Sequence, residues 1–296
     1  DAARVIVTPG ASGALLLALG LLAGPGDEVL MADPGYPCNR HFARFCEARA
    51  VAVPVDASSG FQLTRALIDA HATPATRAVL VASPSNPTGA ALPLAELARI
   101  RDWCAERRIA LIVDEIYLAL TYDGVERSAS DWDDVFVVNS FSKYFLMTGW
   151  RLGWLVAPAW AIPALERLAQ NLFLAAPTPA QHAALAAFEP GTQALLEARK
   201  AELRQRRDWL LPALRGLGFA IPVAPQGAFY LYADCSRFDA DSQVMANRLL
   251  EQAGIAVTPG LDFGAHRAAR HLRIAYTQPL ARLSEAVDRL KRCTQA

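Results

Sequence analysis

The stretch "SFSKYFLMTGWRLGW", residues 140–154, decides the reading of this chain. Of 29 basic residues only three are lysines (Lys143, Lys200 and Lys291), and Lys143 stands here. It follows the apolar run "VFVV" at 135–138 and the serines Ser140 and Ser142, and Arg151 lies eight residues further on. The choice of lysine has chemical content. Arginine stays protonated and is a poor nucleophile, whereas a desolvated lysine near other cations can lose its proton and form a Schiff base. The plain alternative is a solvated surface charge, so the rest of the chain has to decide.

Working outward, short apolar runs rich in β-branched residues alternate with helix-like segments. Candidate strands lie at 28–32, 50–54, 77–82, 109–113, 135–138 and 152–156. Amphipathic stretches fall between them, as at 93–107, opened by Pro93. Continuous apolar strands alternating with helices predict an α/β fold, a mostly parallel sheet sandwiched by helices. From 190 to 215 the pattern becomes one long, charged, amphipathic helix. Then come "GFAIPVAPQGAFYLYADC", "HLRIAYT" and a final helix from about 280. That reads as a large domain over 1–188 and a smaller C-terminal α+β domain over 189–296, the latter including the long interdomain helix.

Composition narrows the function classes. The chain is 53% hydrophobic and 20% charged with zero net charge, which is globular and gives no bulk attraction to nucleic acid or anionic membrane. Five cysteines without a CxxC pair fit a reducing cytoplasm better than a disulfide framework. "GALLLALGLLAG" at 13–24 is too short to span a bilayer and reads as a buried helix. The five histidines show no metal-ligand spacing, so no metal is expected. Trp150 and Trp154 read as packing residues, and Lys200 and Lys291 as solvated charges. The opening at Asp1 reads like the middle of a domain, which raises the expectation of a preceding segment.

Ligands of parallel α/β sheets bind beyond the carboxyl ends of the strands. There the sequence places "SPSNPTG" with Asn86, "DEIY" with Asp114 and Tyr117, and "NSFSK" with Ser140, Ser142 and Lys143. Upstream, "TPGASGALLLA" is a small-residue loop entering a helix, a ready anion site. Each piece alone is ordinary: a turn, a helix cap, a surface cation. Together they form a cradle for a phosphorylated aromatic aldehyde, and pyridoxal 5'-phosphate would use every part. Lys143 would bond it, and Asp114 would keep its pyridine nitrogen protonated. Asn86 and Tyr117 would hydrogen-bond the ring oxygen, and Tyr36 would stack on the ring. Ser140, Ser142, Arg151 and the amides of Ala11 and Ser12 would hold the phosphate.

With these segments in this order, the chain resembles the fold-type I, class I/II aminotransferases of the aspartate aminotransferase superfamily. "TPGASGA", "GDEVLMADPGYP", "SPSNPTGA", "VDEIY", "SFSKYFLMTGWRLGW", "PQGAFYLY" and "LRIAY" carry the resemblance over nearly the whole chain. It implies an amino acid and a 2-oxo acid as substrates, Lys143 as the acid–base group, and a homodimer with active sites at the subunit boundary. It also implies Arg273 and Asn86 as substrate-binding residues, Arg273 taking the substrate α-carboxylate, and cis bonds at Asp33–Pro34 and Asn86–Pro87.

The same cradle would serve a carbon–sulfur β-lyase or a decarboxylase, because the cofactor carries the hard chemistry. A non-catalytic effector domain of a transcription regulator is a further alternative. For the substrate side chain, aspartate-preferring relatives supply a second cation. The matching positions here are Ser12 and the stretch "NLFLAAPTPAQ" at 171–181, which has no basic residue. A neutral or hydrophobic donor is therefore expected.

Overall fold

A computed structural model describes residues 1–123 and 127–295. In chain order it begins β1 Val5–Thr8, α1 Gly10–Leu22, β2 Glu28–Asp33, α2 Pro37–Phe45, β3 Arg49–Pro54 and α3 Arg65–His71. Next come β4 Thr76–Ala82, α4 Leu94–Arg107, β5 Ala110–Asp114, β6 Phe136–Ser140 and β7 Gly153–Val156. Helices α5 Ile162–Leu172, α6 Thr178–Leu185 and α7 Pro190–Leu217 follow. The chain ends with β8 Tyr230–Asp234, α8 Ser242–Ala253, β9 Thr258–Pro259, β10 His271–Ala275 and α9 Leu280–Gln295.

Seven strands form one sheet in the order β1-β7-β6-β5-β4-β2-β3. The pairings of β2, β3, β4, β5 and β6 are parallel, and β7 runs antiparallel to both its neighbours. Side chains of a strand alternate between faces, and here both faces are covered. In β4, Ala78 and Leu80 enter one apolar cluster with α1, while Val79 and Val81 enter another with α4. Helix α1 buries Ala14, Leu15, Leu17, Ala18 and Leu19, so it is apolar nearly all round and serves as core. No helix among the described residues is long and apolar enough to cross a membrane.

The second sheet has three antiparallel strands in the order β8-β10-β9. Its faces divide the work. Leu231, Ala233, Leu272 and Ile274 join a core with Leu210 and Leu214 of α7, Met245 and Leu249 of α8, and Leu283 and Leu290 of α9. Tyr230, Tyr232 and Arg273 lie at alternate positions, and Arg273 is paired with Tyr232. That register gives them the other face.

Two sequence expectations change. Strand β1 lies outside the candidate strands read from the sequence. It has four residues with the burial alternation of a half-covered edge, too little apolar length to stand out. Trp150 is 49% exposed and packs no core, while Trp154 packs against Phe141. The peptide bonds Asp33–Pro34 and Asn86–Pro87 are cis, as is Ser83–Pro84.

Candidate active site

The carboxyl ends of β4, β5 and β6 and the start of α1 surround a cavity of about 210 Å³. Three of the walls come from strands that end as the chain turns polar. Asp114 is the last residue of β5 and is buried. Its Oδ1 accepts the Ile116 amide at 3.1 Å. Burial pushes this carboxyl up to about 6, against the opposing pull of the Ile116 N–H and the Lys143 ammonium. A carboxylate in such a place needs a cation in front of it.

Lys143 lines the same cavity, three residues past the end of β6, with Nζ 6.0 Å from the centre of the Tyr117 ring. Desolvation and then the charges of Arg273 and Arg151 lower its pKa, while Asp114 pulls the other way. The amine therefore loses its proton more readily than a surface lysine. Tyr117 is buried, and its phenol is held far up by burial and by the neighbouring Tyr230 and Asp114.

The far end of the cavity is cationic. Helix α1 begins at Gly10 with no side-chain cap, so the first amides, including those of Ala11 and Ser12, are available to an anion. Arg151 closes this end from a left-handed backbone at φ 52° and ψ 53°, with Nη1 donating to the Thr148 carbonyl at 3.0 Å. Two glycines permit the arrangement. A Cβ on Gly10 would stand 2.7 Å from Arg151 Nη2. A Cβ on Gly153 would stand 2.7 Å from Gly10 C and 2.8 Å from Ala11 N.

Ala11, Ser12, Tyr36, Asn86, Asp114, Tyr117, Ser142, Lys143 and Arg151 all line the cavity. Two expected site residues do not. Ser140 is buried behind Ser142, its Oγ 2.9 Å from Ser142 Oγ and 3.1 Å from the Leu152 carbonyl. Arg273 reaches the rim through Asn86, with Nη1 donating to Asn86 Oδ1 at 2.9 Å and Nη2 to Thr258 Oγ1 at 3.2 Å. Its guanidinium is sandwiched, 4.4 Å from the Tyr230 ring centre and 4.8 Å from that of Phe263. Thr148, Leu15 and Ile116 also line the cavity and were not anticipated. Nor was Tyr230, whose hydroxyl lies 3.0 Å from that of Tyr117. Only the alternation of "FYLY" marked Tyr230, and alternation signals a strand, not a role.

The donor set fits pyridoxal phosphate. The cavity offers an amine to bond the aldehyde, a buried carboxylate for the ring nitrogen, and an anion site at the opposite end. The comparisons agree. The family description "Aminotransferase class I and II" matches residues 1–290. The chain is similar to the valine–pyruvate aminotransferase of Mycobacterium tuberculosis, 39% identical over 97% of this chain and 74% of that protein. It is also similar to an arginine–pyruvate transaminase of Pseudomonas aeruginosa, at 36% over 99% and 75% respectively. A crystal structure of an aminotransferase from M. tuberculosis superposes with a TM-score of 0.95 at 38% identity, covering 100% of this chain and 77% of that one.

The chain belongs to the class I and II aminotransferase family. It is a pyridoxal-phosphate-dependent transferase that moves an amino group from an amino acid to a 2-oxo acid.

Proposed function

We propose that Lys143 bonds the cofactor and afterwards moves the proton, and that the amino donor is neutral or hydrophobic. Pyruvate or 2-oxoglutarate is the acceptor. The observation that carries the site reading is the buried Asp114 carboxylate and the Lys143 amine on one cavity, whose other end is the uncapped start of α1 beside Arg151.

Bound pyridoxal phosphate supplies a cationic ring that draws electrons from the substrate Cα. Asp114 would face the ring nitrogen and keep a proton there, because a buried carboxylate is far less costly beside a cation. Tyr117, whose pKa is held well up by burial, would donate to the ring oxygen. Asn86 joins it through its amide nitrogen, since its oxygen is already taken by Arg273. Ser142, Arg151 and the amides of Ala11 and Ser12 bind phosphate, with Ser140 bracing Ser142. Tyr36 covers the ring. Lys143, with its lowered pKa, would be the group that takes the proton from the substrate Cα and holds it on Nζ for return. Arg273 pairs with the substrate α-carboxylate.

A neutral donor is supported by the lack of any basic residue at Ser12 and along 171–181. Pyruvate is supported by kinship with enzymes named for it. A homodimer is proposed from the family, and a cytoplasmic setting from five free cysteines. A division into domains at 188/189 is supported by α7, which starts at Pro190 and leads to the second sheet. The test is a half-reaction screen. Neutral amino acids should convert the bound cofactor to its aminated form. Release of pyruvate and ammonia from the donor, with the cofactor returned unchanged, would overturn the reading.

A further inference from the structure

Asp33 ends β2 at the same edge of the sheet as Asp114 but takes no part in the cavity just described. It is buried, and its carboxylate faces across to the second sheet. Oδ1 and Oδ2 accept the Ala265 amide at 3.1 and 3.0 Å, and Oδ2 also accepts the His266 amide at 3.2 Å. These bonds tie the carboxyl group to backbone donors of a loop 232 and 233 positions away in sequence. Gly264 completes the fit: a Cβ there would stand 1.7 Å from Asp33 Oδ1, so the loop can wrap the carboxylate only without a side chain at that position. Two residues on, Gly35 N–H donates to the Phe263 carbonyl at 2.9 Å.

The clamped loop carries Phe263, and Phe263 is one of the two rings that enclose the Arg273 guanidinium. The same segment begins with Thr258, which accepts from Arg273 Nη2. The far end of the segment that shapes the arginine is therefore fixed by a carboxylate of the first sheet.

We propose that Asp33 is a positioning residue for the substrate carboxylate: by pinning residues 263–266 it holds Phe263 on Arg273 and so sets affinity for carboxylates. This rests on the assignment of Arg273 to the substrate carboxylate. Asparagine at 33 would keep one acceptor and turn an N–H₂ toward backbone donors, so the loop would leave and Phe263 with it.

The test uses the holoenzyme and isovalerate, a carboxylate with no amino group, with binding read from the spectrum of the bound cofactor. Asp33→Asn and Phe263→Leu should each weaken isovalerate about tenfold or more, the scale on which a misplaced contact group matters. The double variant should be no weaker than the worse single one, because both act through one contact. The substrate KM should rise more than kcat falls, and the dissociation constant of the cofactor should move less than twofold. Gly264→Ala, which drives the loop off the carboxylate by bulk while Asp33 itself stays unchanged, should repeat the isovalerate result. Arg273→Lys serves as the reference. If it weakens isovalerate while Asp33→Asn, Phe263→Leu and Gly264→Ala do not, the clamp is refuted and the assignment of Arg273 stands. Additive effects in the double variant, or a loss confined to cofactor binding, refute the clamp as well. If Arg273→Lys leaves isovalerate unaffected, the assignment of Arg273 falls and takes the clamp with it.

Discussion

Arg273 Nη1 donates to Asn86 Oδ1 at 2.9 Å across 187 positions of sequence. The bond ties β10 to the loop after β4, and so joins the proposed carboxylate subsite to the proposed ring subsite. A second route runs beside it. The Arg273 guanidinium lies over Tyr230, and the Tyr230 hydroxyl meets that of Tyr117. The groups proposed for the substrate carboxylate and for the cofactor ring thus touch each other.

Tyr230→Phe separates these links, because it removes the hydroxyl and leaves the ring under Arg273. Loss of one hydrogen bond is worth about 0.5–1.5 kcal/mol, so kcat should fall roughly 2- to 10-fold with little change in KM. Tyr230→Leu also removes the ring face and should raise KM. Steady-state kinetics on both variants decide. Equal rises in KM would show that the hydroxyl, not the ring, supports Arg273.

Lys143→Ala should still bind the cofactor through Asp114 and the phosphate contacts, yet lose nearly all transamination. In the native enzyme, borohydride reduction and peptide mapping should put the cofactor on Lys143. Label on Lys200 or Lys291 would remove Lys143 from its role.

Asp114 has a pH signature in the apoprotein. Its folded pKa of about 6 lies above the ordinary 3.8, so the folded state holds this proton more tightly than the unfolded chain does. Its contribution to stability is complete below about pH 4 and is lost as the pH rises through 6. The penalty above that range is up to about 3 kcal/mol, from 2.2 pKa units at 1.36 kcal/mol each. Asp114→Asn should therefore raise the apoprotein Tm at pH 8 relative to native protein, and the gain should vanish near pH 4. The same variant should cost the holoenzyme several orders of magnitude in rate. A Tm difference independent of pH would mean that Asp114 is not a strained, buried acid.

Gly153→Ala tests the anion end. The added methyl would meet backbone atoms of Gly10, Ala11 and Asn139 at 2.7–2.8 Å, and backbone yields poorly. Overpacking of this kind costs about 1–3 kcal/mol. We expect a lower Tm and at least a tenfold loss of cofactor affinity, measured by reconstitution of the apoprotein. A stable variant with native affinity would show that α1 can shift without harm to the phosphate site.

The ratio of kcat/KM for aspartate over leucine, methionine or alanine should lie below one. A dicarboxylate places a second charge in the pocket, and a buried charge without a partner is costly. A ratio well above one would reveal a cation beyond Ser12 and residues 171–181.

Much of the site was legible because its polar residues follow apolar runs directly. Asn86, Asp114 and Lys143 each stand at or within a few residues of a strand end, where the local pattern breaks. The parts that were not legible depend on tertiary geometry. Ser140 and Ser142 look alike in sequence, yet only one reaches the cavity, because consecutive alternate positions differ in depth once the chain leaves β6. Tyr230 meets Tyr117 from a strand over a hundred residues away, which no local pattern records. The reversal of β7 is equally silent, since an apolar strand reads the same in either direction.

The order of these residues along the chain has a consequence for biosynthesis. Lys143, Asp114 and the start of α1 are all made before Arg151 is reached, whereas Arg273 is translated 130 residues after Lys143. At about 5–20 residues per second, that interval is roughly 7 to 26 s on the ribosome. During it the nascent chain carries the proposed phosphate and ring contacts but not Arg273, the proposed carboxylate contact. Cofactor capture can thus precede substrate binding by seconds. Ribosome-stalled chains ending before and after Arg273 should both retain pyridoxal phosphate, and only the longer should respond to a carboxylate.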